Sequence, residues 1–335
     1  MRPVIFGLAG PALTDRERGF LKEVAPLGVI LFTRNIIDPP QVRSLVASVQ
    51  ELLGGKAAIL IDQEGGRVAR LRPPFWREAP PARRFALLYA RDAERGLRAC
   101  YLNHRLIADE LSALGVTVDC APVLDIFFPF AHDIIGDRAF GSSPVEAKAL
   151  GQAAQRGLSD GGIIPVAKHI PGHGRAQVDS HLSLPVVETP RTVLSETDFA
   201  AFQELLPGAW AMTAHIVYTD VDSAAPATFS ARVIADVIRG EIGFSGILLS
   251  DDLGMKALSG SFAARARQSI MAGCDIALHC SGNLSEMEEI AGALSTLSEE
   301  ALARYSGACG QITAIKEDMR REDMLLELTD LLENS

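Results

Sequence analysis

Residues 166–181 read VAKHIPGHGRAQVDSH, which places Lys168, His169, His173 and His181 within fourteen positions, together with the carboxylate of Asp179. Such side chains move protons, hold developing charge or ligate metal. Pro171, Gly172 and Gly174 interrupt them, and a short apolar run, IIPVA at 163–167, leads in. The pattern is a buried strand ending in two cationic side chains, then a glycine-rich excursion, then an Asp-x-His pair. Strand ends that feed loops collect catalytic groups, because a rigid sheet aims them while the loop closes over substrate. The chain reads as an enzyme.

The elements that must position these groups alternate along the sequence. Short apolar runs occur at 4–10, 28–34, 57–66, 116–126, 163–170, 209–218, 246–252 and 274–280. Helical patterns stand between them, among them TDRERGFLKEV, PPQVRSLVASVQELL, SPVEAKALGQAAQRGLSDGG and SETDFAAFQELL. Continuous apolar strands are buried on both faces, as parallel strands are. Eight of them in alternation with helices predict a (β/α)8 TIM-type barrel, with a doubly wound open sheet as the lesser alternative. The expected organisation is one catalytic domain: a barrel over about 1–282, with extra C-terminal helices over about 283–335. Long insertions at 65–90 and 171–190 would rise from the C-terminal face. On this reading Asp62 ends the third strand, Lys168 and His169 the fifth, His215 the sixth, and Asp251 with Asp252 the seventh. All are expected to converge on one pocket.

Composition narrows the class of function. A net charge of −10, without a basic stripe, opposes a nucleic acid or anionic membrane partner. No run approaches the eighteen apolar residues of a membrane span. The five cysteines are irregularly spaced, with no CxxC pair, and read as reduced thiols of a cytoplasmic protein. VIFGLAG near the N-terminus fits a first strand better than a signal peptide, because a helical pattern follows at once.

Three strings carry a resemblance: DQEGGRVAR at 62–70, KHIPGHGRAQVDSH at 168–181 and SDDLGM at 250–255. With IGDRAF at 135–140 and MTAHI at 212–216, the chain resembles the bacterial β-N-acetylglucosaminidases of glycoside hydrolase family 3, in their short, single-domain form. The resemblance implies a retaining exo-hydrolase working through a covalent glycosyl–enzyme intermediate. It implies Asp251 as nucleophile, His181 as general acid/base and Asp179 as its dyad partner. Asp62, Arg70, Arg138, Lys168 and His169 match the residues that grip the terminal N-acetylglucosamine. The implied substrate is N-acetylglucosamine linked β-1,4 to 1,6-anhydro-N-acetylmuramic acid, with or without a stem peptide, in cytoplasmic peptidoglycan recycling. Neither a cofactor nor a metal is expected, and the expected state is a monomer. Three positions depart from the family pattern: Ile170 for phenylalanine, Arg175 for an acidic residue and Gly254 for serine.

The residue chemistry supports the same reaction class on its own terms. Retaining glycoside cleavage needs a nucleophile at the anomeric carbon and a proton donor at the leaving oxygen. A carboxylate such as Asp251 suits the first role. A histidine bonded to Asp suits the second, since its ordinary pKa lies near neutrality. Arg70, Arg138 and Lys168 can donate to ring hydroxyls without competing for that proton. A metal-dependent amidohydrolase would need an H-x-H pair on strand one, where VIFGLAG stands. Pro171 and Gly172 prevent His169 and His173 from forming a ligand pair on a helix. A class I aldolase would need Lys168 uncharged. A sugar-binding sensor that had lost catalysis would lack Asp251 or His181.

Overall fold

The computed structural model describes residues 1–180, 182–311 and 319–333. Eight parallel strands close into a barrel in chain order: β1 (Arg2–Gly7), β2 (Pro26–Leu31), β3 (Ala58–Ile61), β4 (Val118–Asp119), β5 (Ile164–Ile170), β6 (Trp210–Thr213), β7 (Leu248–Asp252) and β8 (Ile276–His279). β8 pairs back onto β1, with Ile5 opposite Leu278. The expected (β/α)8 architecture is therefore present, and the open sheet is excluded.

Alternation along each strand splits the core in two. Ile5, Leu60, Val118, Val166, Trp210, Leu249 and Leu278 belong to one cluster that fills the barrel interior. Their neighbours, such as Phe6, Ile61 and Ala277, pack outward against the helices. Helix starts follow local chemistry. Thr14 and Glu17 form a capping box before Asp15–Val24, and Asp38 caps Pro39–Leu52 with prolines in the first turn.

Two stretches differ from expectation. The insertion after β3 contains a helix, Ala82–Tyr89, whose Phe85 and Leu88 are buried in the core. SETDFAAFQELL does not form one helix. A short helix at Arg191–Glu196 gives way to a tight 3-10 turn at Phe199–Phe202. At the joint, the Asp198 carboxylate is buried and accepts hydrogen bonds from Arg175 and Thr197, so it ties this segment to the loop after β5. Tertiary pairing has overridden helical propensity there.

The C-terminal helices do separate jobs. Leu284–Ala293 packs beside β1 and the helix Phe262–Ala272. Glu299–Gln311 closes the N-terminal end of the barrel, where Ala308 joins the interior cluster and the Tyr305 ring lies 5.9 Å from Trp210. Arg321–Glu333 docks on Ala93–Ser112 through buried Met324, Leu328 and Leu331 and the Arg98–Glu327 ion pair.

Candidate active site

At the C-terminal end of the barrel the inward rows change character. Two residues beyond Leu60, Val166 and Leu249 on the same faces stand Asp62, Lys168 and Asp251. These three, with Glu64, Arg70, Arg138 and His169, line one cavity of about 330 Å³. Seven of the ten residues expected from the sequence are therefore brought together: Asp62, Arg70, Arg138, Lys168, His169, Asp251 and Asp252.

One wall of the cavity is a chain of alternating charge. Lys168 Nζ donates to Asp62 Oδ1 at 2.9 Å and to Glu64 Oε1 at 2.7 Å. Arg70 Nη2 donates to Asp62 Oδ2 at 3.0 Å. Arg138 grips Glu64 with both Nε and Nη2, at 2.8 and 2.9 Å. Burial alone would raise the Glu64 carboxyl, but Arg138 and Lys168 outweigh it and bring it down to about 2. Asp62 is likewise held far below the usual carboxylate range, burial being overcome by Lys168 and Arg70. Burial opposes the charge on Lys168, yet Asp62 and Glu64 hold its ammonium above the ordinary lysine range. A lysine so firmly charged is no Schiff-base nucleophile, which removes the aldolase alternative.

His169 reaches the cavity through a local break in register. Lys168 pairs with Met212 but Ile170 with Thr213, so His169 is the extra residue of a bulge, at a cis peptide bond. Its Nδ1 lies 2.6 Å from Asp125 Oδ2. Asp125 also accepts the backbone N–H of His173 at 2.6 Å, so one buried carboxylate holds both histidines of the KHIPGH string. Burial and the neighbouring His169 push His173 down to about 4, so it is neutral near pH 7. His173 Nε2 lies 3.0 Å from Ser180 Oγ, which brings that loop residue to the cavity lining.

The opposite side carries the β7 carboxylates. Asp251 Oδ1 accepts the Asp252 N–H at 2.7 Å. Asp252 Oδ1 accepts from Gly254 and Cys280 N–H groups at 2.9 and 3.0 Å. His215, expected to join the pocket, does not line it. Its nitrogens contact Thr228 Oγ1 at 2.7 Å and the Asp252 carbonyl at 3.0 Å, and burial pushes its pKa down. It supports the backbone of β7 from behind, and Met212 is the β6 residue that faces the cavity.

Asp179 is half-buried on the loop after β5, where its carbonyl accepts the N–H groups of Leu182 and Ser183. His181 lies outside the described residues. The loop's glycines are required by geometry: a Cβ on Gly174 would stand 2.0 Å from the Ile126 carbonyl oxygen, and one on Gly172 2.8 Å from Asp198 Cβ. Gly65 has φ +98 and Gly66 φ +57, and both press on Pro80 or Pro81, so these too exclude a side chain. The unusual Arg175 is accommodated. It pairs with Asp198 at 2.7 Å, donates to Thr197 and stacks 4.2 Å over the Phe128 ring.

Over residues 8–308 the chain matches the glycosyl hydrolase family 3 N terminal domain. It belongs to glycoside hydrolase family 3. It is 41% identical over 284 residues to a β-hexosaminidase of Alkalilimnicola ehrlichii, covering 83% of this chain and 80% of that protein. A β-hexosaminidase of Thioalkalivibrio sulfidiphilus is 38% identical over 323 residues, covering 92% and 90%. Among solved structures, NagZ from Neisseria gonorrhoeae in complex with N-trifluoroacetyl-D-glucosamine superposes with a TM-score of 0.87 at 31% identity, covering 99% of this chain and 98% of that one. The family 3 chain described here is a glycoside hydrolase of the β-N-acetylhexosaminidase group.

Glu64 and Asp125 are the site residues that sequence reasoning did not single out. Glu64 stood inside the quoted DQEGG string. An acidic residue two positions after Asp62 shares its face of the chain, and that spacing was the available signal. Asp125 stands six residues beyond β4, near the end of the apolar run at 116–126.

Proposed function

We propose that this enzyme removes terminal β-linked N-acetylglucosamine from 1,6-anhydro-N-acetylmuramic acid, with or without a stem peptide, as a step of cytoplasmic peptidoglycan recycling. In this reading the whole chain acts as one catalytic domain. The observation that carries the reading is the convergence of Asp251 and the Asp62–Lys168–Glu64–Arg138 wall on one cavity. The wall offers cationic donors for the hydroxyls of a terminal sugar, and Asp251 supplies a carboxylate on the other side. The relatives' β-hexosaminidase character and the N-acylated glucosamine bound to NagZ support the choice of sugar.

Asp251 attacks the anomeric carbon, and a covalent glycosyl–enzyme forms as the leaving oxygen takes a proton. His181, oriented by Asp179, gives that proton and then takes one from the incoming water. Ser180 at the cavity lining supports placing the donor on this loop. His173, neutral near pH 7, and His215, engaged at both nitrogens, are poorer donors. Asp62, Arg70, Arg138, Lys168 and His169 hold the non-reducing sugar, and binding there is spent on orientation.

The test is a substrate panel. Aryl β-N-acetylglucosaminide and the anhydro-disaccharide should be turned over, and the matching aryl glucoside and xyloside should be poor substrates. Equal turnover of glucoside and N-acetylglucosaminide would remove the sugar assignment.

A further inference from the structure

Behind the gripping wall lies a carboxyl group with no assigned task. Asp119 ends β4 opposite Ile61, on the outward row, and is fully buried. Its Oδ1 accepts the Gln63 N–H at 2.9 Å, and its Oδ2 has no hydrogen-bond partner among the described residues. Gln63 stands between Asp62 and Glu64. Its side chain binds the next turn of chain: Oε1 accepts from Arg70 and Leu71 N–H groups at 2.8 and 3.0 Å, and Nε2 donates to the Leu71 carbonyl. Whatever fixes Gln63 therefore fixes Asp62, Glu64 and Arg70 together.

We propose that Asp119 is a positioning residue of the sugar-gripping wall, acting as an uncharged acid that anchors the Gln63 backbone and so sets how Asp62 and Glu64 straddle Lys168. The proposal rests on the reading of that wall as the sugar grip. The charged and titratable groups facing Asp119 are Lys168 on β5, Asp62 and Glu64 beyond β3, and the Cys120 thiol beside it. Lys168 already spends its ammonium on Asp62 and Glu64. An ionised Asp119 would therefore be desolvated, short of a partner for one oxygen and close to two other anions. Burial first, then Asp62 and Glu64, push its carboxyl up to about 8, against the Gln63 N–H and Lys168. Below that pH the neutral carboxyl accepts from Gln63 without disturbing Lys168. Above it a third carboxylate competes for Lys168, so the grip loosens and KM rises with kcat little changed.

The linkage has a definite sign. The folded-state carboxyl is raised above its ordinary value of about 4, so stability is lost as pH rises from about 4 to about 8. Asp119→Asn keeps the acceptor for Gln63 and cannot ionise. Its melting temperature should overtake the parent's progressively across that window.

The deciding experiment compares the parent enzyme, Asp119→Asn and Asp119→Ala. At pH 6–7 Asp119→Asn should keep the parent's KM, and its KM should stay flat above pH 8, where the parent's rises. Asp119→Ala leaves the buried Gln63 N–H without its acceptor and should raise KM about ten-fold at every pH, with kcat little changed. The infrared band of a protonated buried carboxylic acid should be present in the parent at pH 7 and missing from Asp119→Asn. An Asp119→Asn enzyme as weakened as Asp119→Ala, or no infrared difference at pH 7, would overturn the proposal. The infrared and melting readouts need no substrate. A failure of the N-acetylglucosaminidase reading would show in the substrate panel, while a failure at Asp119 would show in these.

Discussion

The two sides of the cavity are built differently. The β3–β5 wall is over-determined: Asp62, Glu64, Lys168 and Arg138 each hold at least one charged partner within 3.0 Å, with Lys168 on β5, Asp62 and Glu64 just after β3, and Arg138 in a 3-10 turn, Gly136–Arg138, of the loop after β4. The side to which the proposed reading assigns the reaction is built from a strand end and a loop. Asp251 stands at the end of β7, and the loop after β5 exposes Val178, Leu182, Leu184 and Val186 to solvent. In the proposed reading, binding is preorganised on the charged wall, while proton transfer falls to the loop after β5. A preorganised wall would orient the sugar, and a donor on the adjoining loop would serve first the leaving oxygen and then the water.

If that division holds, breaking the loop side should damage chemistry and spare binding. For His181→Ala we expect a loss of about 10²–10⁴-fold in turnover of a sugar aglycone, with activated aryl leaving groups affected far less. A small anion such as azide should restore turnover of the aryl substrates, because deglycosylation then needs no base. Equal losses for good and poor leaving groups, without rescue, would move the proton donor elsewhere.

Breaking the wall should do the reverse. Glu64→Gln removes the shared anion from Lys168 and Arg138, and bonds to charged groups are each worth about 1.5–3 kcal/mol. KM should rise roughly 10–100-fold, with a smaller change in kcat. Stability should respond to pH in a set direction. The Glu64 carboxyl is lowered to about 2 in the fold, so its contribution is complete above the ordinary glutamate value of about 4.3 and is lost as pH falls toward 2. The gap in melting temperature between parent and Glu64→Gln should close over that range. A gap independent of pH would mean that the side chain matters only for packing.

The same contrast explains what could be read in the chain. Parallel strands buried on both faces leave continuous apolar runs, so all eight barrel strands were visible, and the residue that follows each run at the inner spacing pointed to Asp62, Lys168 and Asp251. Arg70 and Arg138 came from family resemblance, since their own spacing says little. Glu64 was not visible as a site residue because its partner Arg138 lies 74 positions away, and Asp125 meets His169 across 44. His215 misled because a strand-end histidine reads the same whether it faces the cavity or the sheet behind it. The helix expected at 195–206 failed for a similar reason: the pairing of Asp198 with Arg175 is a tertiary contact that local propensity does not encode.

The central claim is that Asp251 forms the covalent bond to the sugar. Incubation with a 5-fluoro N-acetylglucosaminyl fluoride, followed by proteolysis and mass spectrometry, tests it most directly. The account predicts one added glycosyl group on the peptide containing Asp251, at that residue, and no label on Asp251→Ala, which should still bind N-acetylglucosamine. Label on Asp252, Asp62 or Glu64, or steady turnover of the fluoride with no trapped adduct, would contradict it.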